Sequence, residues 1–182
     1  MDVEYVSNYF NKNYEKEMKR NHQNEYSVFT YDLQLRYLKA YLGSGNQIVL
    51  DAGCGGGDYS VDIVKWGNDI HLIDLSEKLL QNAVSAIRAN QLDGHLKSWM
   101  VGDICKLTYL HDESIDVVVC LGGVINFLAD NVEAALREFN RVLKNNGILI
   151  VGAGSKFGAM RSMLSNGKNA ISYILKLIDD KI

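Results

Sequence analysis

Asp51 is followed by Gly53, Gly55, Gly56 and Gly57 in the stretch VLDAGCGGGDYS. Glycine accepts positive φ and lets a ligand reach backbone where a Cβ would collide. When such a loop leads from a strand into a helix, the free N–H groups of the helix start face an anion or a polar ligand. A second acid, Asp74 in HLIDLS, lies 19 residues after Gly55. A carboxylate at the end of the next strand can accept both hydroxyls of a ribose. A third acid, Asp103, stands beside Ile104. Together they suit an adenine, with the carboxylate for the exocyclic amine and the isoleucine for the ring face. Asp74 and Asp103 could each instead cap a local turn or helix.

These features fit a dinucleotide as well as an adenosyl ligand. The third glycine of the dinucleotide fingerprint would fall at position 58, which is Asp58. Its side chain crowds a pyrophosphate and its charge repels one, so the adenosyl ligand is favoured over NAD.

The elements that must position these residues follow from hydrophobic patterning. The first forty-odd residues read as helical, with Leu35, Leu38 and Leu42 at helical spacing before Gly43-Ser44-Gly45. Strands are expected at 47–53, 68–76, 95–103, 114–122 and 148–154, the fourth apolar on both faces as a central parallel strand should be. Helices are expected at 59–66, at 76–90 from a Ser76 N-cap, and after Asp130-Asn131-Val132-Glu133 with Asp130 as N-cap, ending at Asn145-Asn146-Gly147. Strands alternating with helices imply an α/β fold: a Rossmann-like three-layer αβα sandwich on a mostly parallel sheet. The expected organisation is a helical cap over 1–45, a ligand-binding core over 46–155 and short helices over 156–182, all in one domain.

VLDAGCGGG, IDLS, GDI, DVVVCLGGVINFL and LREFNRVLKNNGILIV resemble, in order and spacing, the successive motifs of class I S-adenosylmethionine-dependent methyltransferases. The resemblance runs from about 47 to 155 and points to the small-molecule branch. It implies cofactor contacts from Gly53, Gly55 and Gly57 to the methionine part. Asp51 would hold its ammonium group, Asp74 its ribose, and Leu75, Asp103 and Ile104 its adenine. The backbone carbonyls of Cys120 and Leu121 would face the ammonium. Asn126 and Phe127 would face the substrate. Tyr9 and Tyr14 resemble N-terminal aromatics that close over the cofactor. The implied activity is methyl transfer to a small-molecule N or O nucleophile, with S-adenosylhomocysteine as product. The alternative is a non-catalytic cofactor-binding module or partner subunit.

An amine nucleophile need only arrive neutral, whereas an oxygen nucleophile usually wants a base. Among the four histidines, His71 and His95 fall at the strand ends away from the ligand edge. His22 is favoured over His111 as a base, and an inert role fits both. The Asn/Asp-Pro-Pro-aromatic run of base-amino methyltransferases is replaced by Leu121-Gly122-Gly123-Val124, in a chain without proline. Lys12, Lys16, Lys19 and Arg20 alternate with Glu15 and Glu17, a solvated helix face rather than a phosphate track. With a net charge of −3, no nucleic-acid partner is expected. Three cysteines, none in a CxxC pair, indicate neither a disulfide frame nor a zinc site and fit a reduced, cytoplasmic protein. No signal peptide or membrane span is indicated.

After the fifth strand the family continues with a helix and an antiparallel strand pair, which this sequence lacks. The fifth strand, ILIVGAG, is therefore expected to be an uncovered edge, with Lys156 as its only gatekeeper. A tail helix carrying Ile171, Ile174, Leu175 and Ile178 could cover part of it. Self-association, a partner chain or a longer protein would each complete the sheet.

Overall fold

The computed structural model describes residues 2–155 and Gly158. Five strands, β1 (Ile48–Ala52), β2 (Asp69–Asp74), β3 (Leu96–Val101), β4 (Ile115–Cys120) and β5 (Leu143–Val151), form one sheet in the order β3-β2-β1-β4-β5. Every pairing is parallel. The chain builds outward from β1 to β3, then crosses to β4 on the other side of β1. That reversal opens a crevice beyond the strand C-termini, where α/β sheets bind ligands.

Strand side chains alternate between faces, so each strand feeds two cores. Val49, Ile70, Leu72, Val117 and Val119 pack under α3 (Glu25–Leu42), α4 (Asp58–Lys65) and α5 (Glu77–Ala89), which contribute Leu38, Leu42, Ile63, Ala83 and Ile87. Leu50, Ala52, Ile73, Val118 and Cys120 face the opposite layer, where Leu107 and Leu110 join Ala135, Phe139 and Val142 of α6 (Val132–Val142). The result is the three-layer αβα sandwich expected from the sequence. Phe139 is fully buried, and truncating such a ring costs about 3–5 kcal/mol. Two short helices, α1 (Val3–Lys12) and α2 (Tyr14–Met18), precede α3 and lie over the strand ends.

Local signals placed most boundaries within two residues. Ser76 caps α5, its Oγ accepting from the Leu79 N–H at 3.3 Å. Asp130 is not a cap: it sits in a 3₁₀ turn, Ala129–Asn131, and Asn131 precedes α6 without a side-chain cap bond. The turn consumes the residue that the capping-box spacing had assigned to the helix. Asn145-Asn146-Gly147 does not separate helix from strand either. β5 starts at Leu143, opposite Ile115, while Ile148 lies opposite Val117, so this triplet is a bulge with Asn146 at φ 66°. Bulges insert residues without ending the strand.

Among the described residues, β5 is an edge strand. Lys156, Ile171, Ile174, Leu175 and Ile178, and the helices expected over 156–182, lie outside the described residues. No helix among the described residues is long and apolar enough to cross a membrane.

Candidate functional site

The C-terminal ends of β1 to β4 meet the glycine loop in one cleft, roofed by the N-terminal helices. Asp51 is the penultimate residue of β1 and is 3% exposed. The Ser60 hydroxyl donates to its Oδ2 at 2.6 Å, and its other oxygen accepts no hydrogen bond from the described residues. Burial pushes this carboxyl up to about 7, opposed by the Ser60 hydrogen bond and reinforced by the charge of Asp74. A buried carboxylate with a free oxygen on a cleft wall is built to receive a cationic donor.

Asp74 ends β2 and ties the glycine loop to it. Its Oδ2 accepts the Gly55 N–H at 2.8 Å and its Oδ1 the Ser76 N–H at 2.8 Å. Burial raises its pKa, and those two N–H groups and the Arg20 charge pull it back. The Ile73 carbonyl receives the N–H groups of Gly53 and Cys54 at 2.8 and 3.1 Å. The loop is thus fixed by backbone bonds on both sides. Gly55, at φ 54°, leaves its Cα side bare: a Cβ there would meet no atom within 4 Å. It is a cradle that a side chain would fill.

The glycines divide by task. Gly53, Gly55 and Gly56 line the cleft, and Gly57 does not. Gly57 stands at φ 89° just before α4, where a Cβ would come within 2.7 Å of the Ala83 Cα on α5. Its smallness serves helix packing rather than the ligand. Gly56, absent from the expected contacts, lies under the Met18 sulfur.

Beyond β3, Asp103 and Ile104 line the cleft opposite Leu75. Asp103 also accepts the Cys105 N–H at 2.9 Å, so it caps its loop while facing the cleft. Beyond β4, Leu121 lines the cleft and Cys120 does not. The Cys120 carbonyl accepts the Gly152 N–H at 2.8 Å and is committed to β5. The Gly122 carbonyl is the one beside the cleft, receiving Arg20 Nη1 at 3.3 Å. Phe127 lines the cleft, edge-on to Phe10 at 5.2 Å. Asn126 lies outside the lining, clamped to the Gly154 backbone by two hydrogen bonds of 2.8 and 3.0 Å.

The cap departs most from expectation. Tyr14 is outside the lining, its ring beneath Lys78 Nζ at 4.9 Å, and exposed Tyr9 packs on Phe10. Val6 and Phe10 of α1 turn inward instead, and Ser7 Oγ anchors the helix to the Leu75 carbonyl at 2.8 Å. His22 rests against the Tyr31 ring, 5.3 Å between centroids, and does not line the cleft. His111 lies in the loop between β3 and β4, outside the lining. His71 and His95 bond Ser98 and Asp69 near the opposite strand ends.

Sequence reasoning missed Glu17, Met18, Arg20 and Asn21, which reach over the glycine loop from α2 and the following turn. Asn21 Nδ2 donates to Asp58 Oδ2 at 2.8 Å, and Arg20 pairs with Glu17 at 3.3 Å. The i, i+4 pair Val6 and Phe10 was a visible apolar signal, but nothing in the mixed-charge run KNYEKEMKRN marks which side chains turn inward.

The fold and this cleft define a Rossmann-like α/β domain of the nucleoside-binding kind. The methyltransferase-domain family model matches residues 50–151. The chain belongs to that family, the class I S-adenosylmethionine-dependent methyltransferases its motifs resemble. It is 38% identical over 105 residues to an uncharacterised methyltransferase of Bacillus subtilis, covering 57% of this chain and 39% of that one. It is 32% identical over 118 residues to a glycine/sarcosine N-methyltransferase of Aphanothece halophytica, covering 63% and 43%. The chain thus spans about two fifths of the length of these relatives. Its fold is similar to that of magnesium protoporphyrin IX methyltransferase from Synechocystis, solved with bound S-adenosylmethionine. The TM-score is 0.67 at 21% identity, over 92% of this chain and 86% of that one.

Proposed function

We propose that the cleft binds S-adenosylmethionine and that the protein transfers its methyl group to a small-molecule N or O nucleophile, releasing S-adenosylhomocysteine. One observation carries the reading: the free oxygen of buried Asp51, the bare backbone of Gly55 and the oriented carboxylate of Asp74 border a single cleft. Asp51 would receive the ammonium group, aided by the Gly122 carbonyl, and Gly53, Gly55 and Gly56 would lie along the methionine chain. Asp74 keeps lone pairs for two ribose hydroxyls. Leu75 and Ile104 would sandwich the adenine, and Asp103 would accept from its amine. Arg20 would turn from Gly122 to the carboxylate. When bound, the cofactor supplies an activated methyl group, so the protein's part is positioning and electrostatics. In this reading residues 1–45 are the cap that excludes water and 46–155 the cofactor-binding core.

Equilibrium dialysis against labelled S-adenosylmethionine tests the assignment. Saturable retention by the wild type and loss in Asp74→Ala are expected; equal retention by both would place the ligand elsewhere.

The same reading includes self-association through β5, and a cytoplasmic protein without a nucleic-acid partner. Ile148 to Val151 are apolar and carry no charge or proline to deter strand pairing. Sedimentation should show a dimer or larger species that Ile150→Lys shifts toward monomer. A monomer at high concentration, unaffected by the lysine, would rule this out.

A further inference from the structure

Resting on the reading above, we infer that the acceptor is an amine and that Glu17 takes its proton. Five carboxylates line the cleft, from Glu17, Asp51, Asp58, Asp74 and Asp103, and Arg20 is the only cationic side chain among the described lining residues. Four of the five are held by neutral hydrogen-bond donors. Ser60 holds Asp51, backbone N–H groups hold Asp74 and Asp103, and Asn21 holds Asp58. Glu17 differs. Its side chain is 16% exposed, and its only partner among the described residues is Arg20, at 3.3 Å. It projects from the cap onto the cleft, where its charge is felt at Asp74.

The charge balance selects the acceptor. Attack by an oxyanion on a sulfonium destroys one positive and one negative charge. A surround rich in carboxylates stabilises the cation consumed and repels the incoming anion, so it opposes that reaction. Attack by an amine moves one positive charge from sulfur to nitrogen and leaves the net charge of the cleft unchanged. An amine arrives mostly as R–NH₃⁺, attracted by the same carboxylates but without a lone pair. The Glu17 carboxylate accepts one N–H proton, giving R–NH₂. The nitrogen lone pair forms the C–N bond to the methyl carbon as the S–CH₃ bond breaks, its electron pair staying on sulfur. The products are the neutral thioether, R–NH₂⁺–CH₃ and a protonated Glu17. Moving Arg20 to the cofactor carboxylate frees Glu17 for this step.

Binding and turnover test it together. By calorimetry, S-adenosylmethionine, with one more positive charge than S-adenosylhomocysteine, should bind at least tenfold more tightly, and Glu17→Gln should narrow that ratio severalfold while leaving S-adenosylhomocysteine within twofold. Labelled methyl should pass to benzylamine and not to phenol, and at saturating S-adenosylmethionine Glu17→Gln should lower kcat for benzylamine at least tenfold. Equal or tighter binding of S-adenosylhomocysteine, a binding ratio or a kcat unmoved by the glutamine, or methylation of phenol or of neither compound would overturn the inference. Failure to bind either nucleoside would instead remove the cofactor assignment, and this inference with it.

Discussion

The two walls of the cleft are built in different ways. The sheet wall holds its functional groups by backbone and one buried hydroxyl. Asp74 is fixed by two N–H groups, the glycine loop by the Ile73 carbonyl, and Asp51 by a buried serine. The cap wall holds its groups by side chains. Arg20 reaches a carbonyl and a glutamate with its side chain 45% exposed, and Asn21 reaches Asp58. Backbone bonds fix the geometry of the sheet wall, where the nucleoside is proposed to bind. The cap wall is held by side-chain contacts, among them Ser7 to the Leu75 carbonyl and Ser76 to Asn11, each at 2.8 Å, so its geometry depends on rotamers rather than on backbone.

The largest effect should come from breaking the sheet wall. Asp74→Ala would remove the two proposed ribose hydrogen bonds and orphan the Gly55 and Ser76 N–H groups. The loss in cofactor binding should be roughly 2–4 kcal/mol, taking about 1.5–3 kcal/mol per charge-assisted bond and allowing for non-additivity. Calorimetry should read that as roughly 30- to 700-fold weaker binding. A change under threefold would break the distinction between the walls.

Asp51 sharpens the comparison through pH. In the proposed binding mode the cofactor's ammonium needs an ionised Asp51, whose carboxyl is pushed by burial up to about 7 in the ligand-free protein. A free α-amino group titrates at about 7.7–8.0. Binding should therefore peak between about pH 7 and 8 and weaken about tenfold per unit below that window. Asp51→Asn should flatten the acidic limb. In the ligand-free protein the folded state holds the Asp51 proton that the unfolded chain has released between about 3.8 and 7. Its contribution to stability thus falls as pH rises through that range. Asp51→Asn should raise the Tm at pH 8 and leave it unchanged near pH 3. A lower Tm at pH 8 would contradict the buried, costly charge.

Gly55 and Gly57 separate binding from folding within one loop. Gly57→Ala forces a Cβ onto the Ala83 backbone at positive φ and should cost about 1–3 kcal/mol of stability. At Gly55 an added Cβ meets no protein atom within 4 Å, so Gly55→Val should bear mainly the cost of its backbone conformation, while blocking the cofactor. Thermal melts and dialysis on both variants check this. Normal binding by Gly55→Val with a native circular dichroism spectrum would mean the loop is not the cofactor site.

Legibility in the sequence follows the same divide. The positions of β1, the glycine loop and Asp74 were readable because they depend on residue type at fixed spacing: an apolar run for the strand, an acid at its neighbour's end, and glycines at positive φ. Gly57 was assigned to the ligand because spacing cannot tell a glycine needed for ligand approach from one needed for helix packing. Cys120 was assigned a free carbonyl because strand pairing to Gly152 is a long-range event. Asn126 reads as a substrate contact in sequence, yet its amide matches the Gly154 backbone 28 residues away. The inward side chains of the cap were hidden because tertiary docking of α1 and α2 selects them, with no local period to announce it.

The smallest effect belongs to the cap. Arg20→Ala removes a half-exposed, screened charge, worth about 0.2–1 kcal/mol. Cofactor binding should weaken a few-fold, less at high salt, with the Tm unchanged. A loss as large as that of Asp74→Ala would show the two walls to be equally preorganised.

The central claim is that this cleft is an adenosyl site closed to a pyrophosphate by Asp58. Calorimetry of the wild-type protein with S-adenosylhomocysteine and, separately, NAD addresses it most directly. Saturable, one-to-one binding of S-adenosylhomocysteine with no measurable heat from NAD is the predicted result. Tight binding of NAD with none of S-adenosylhomocysteine would contradict it.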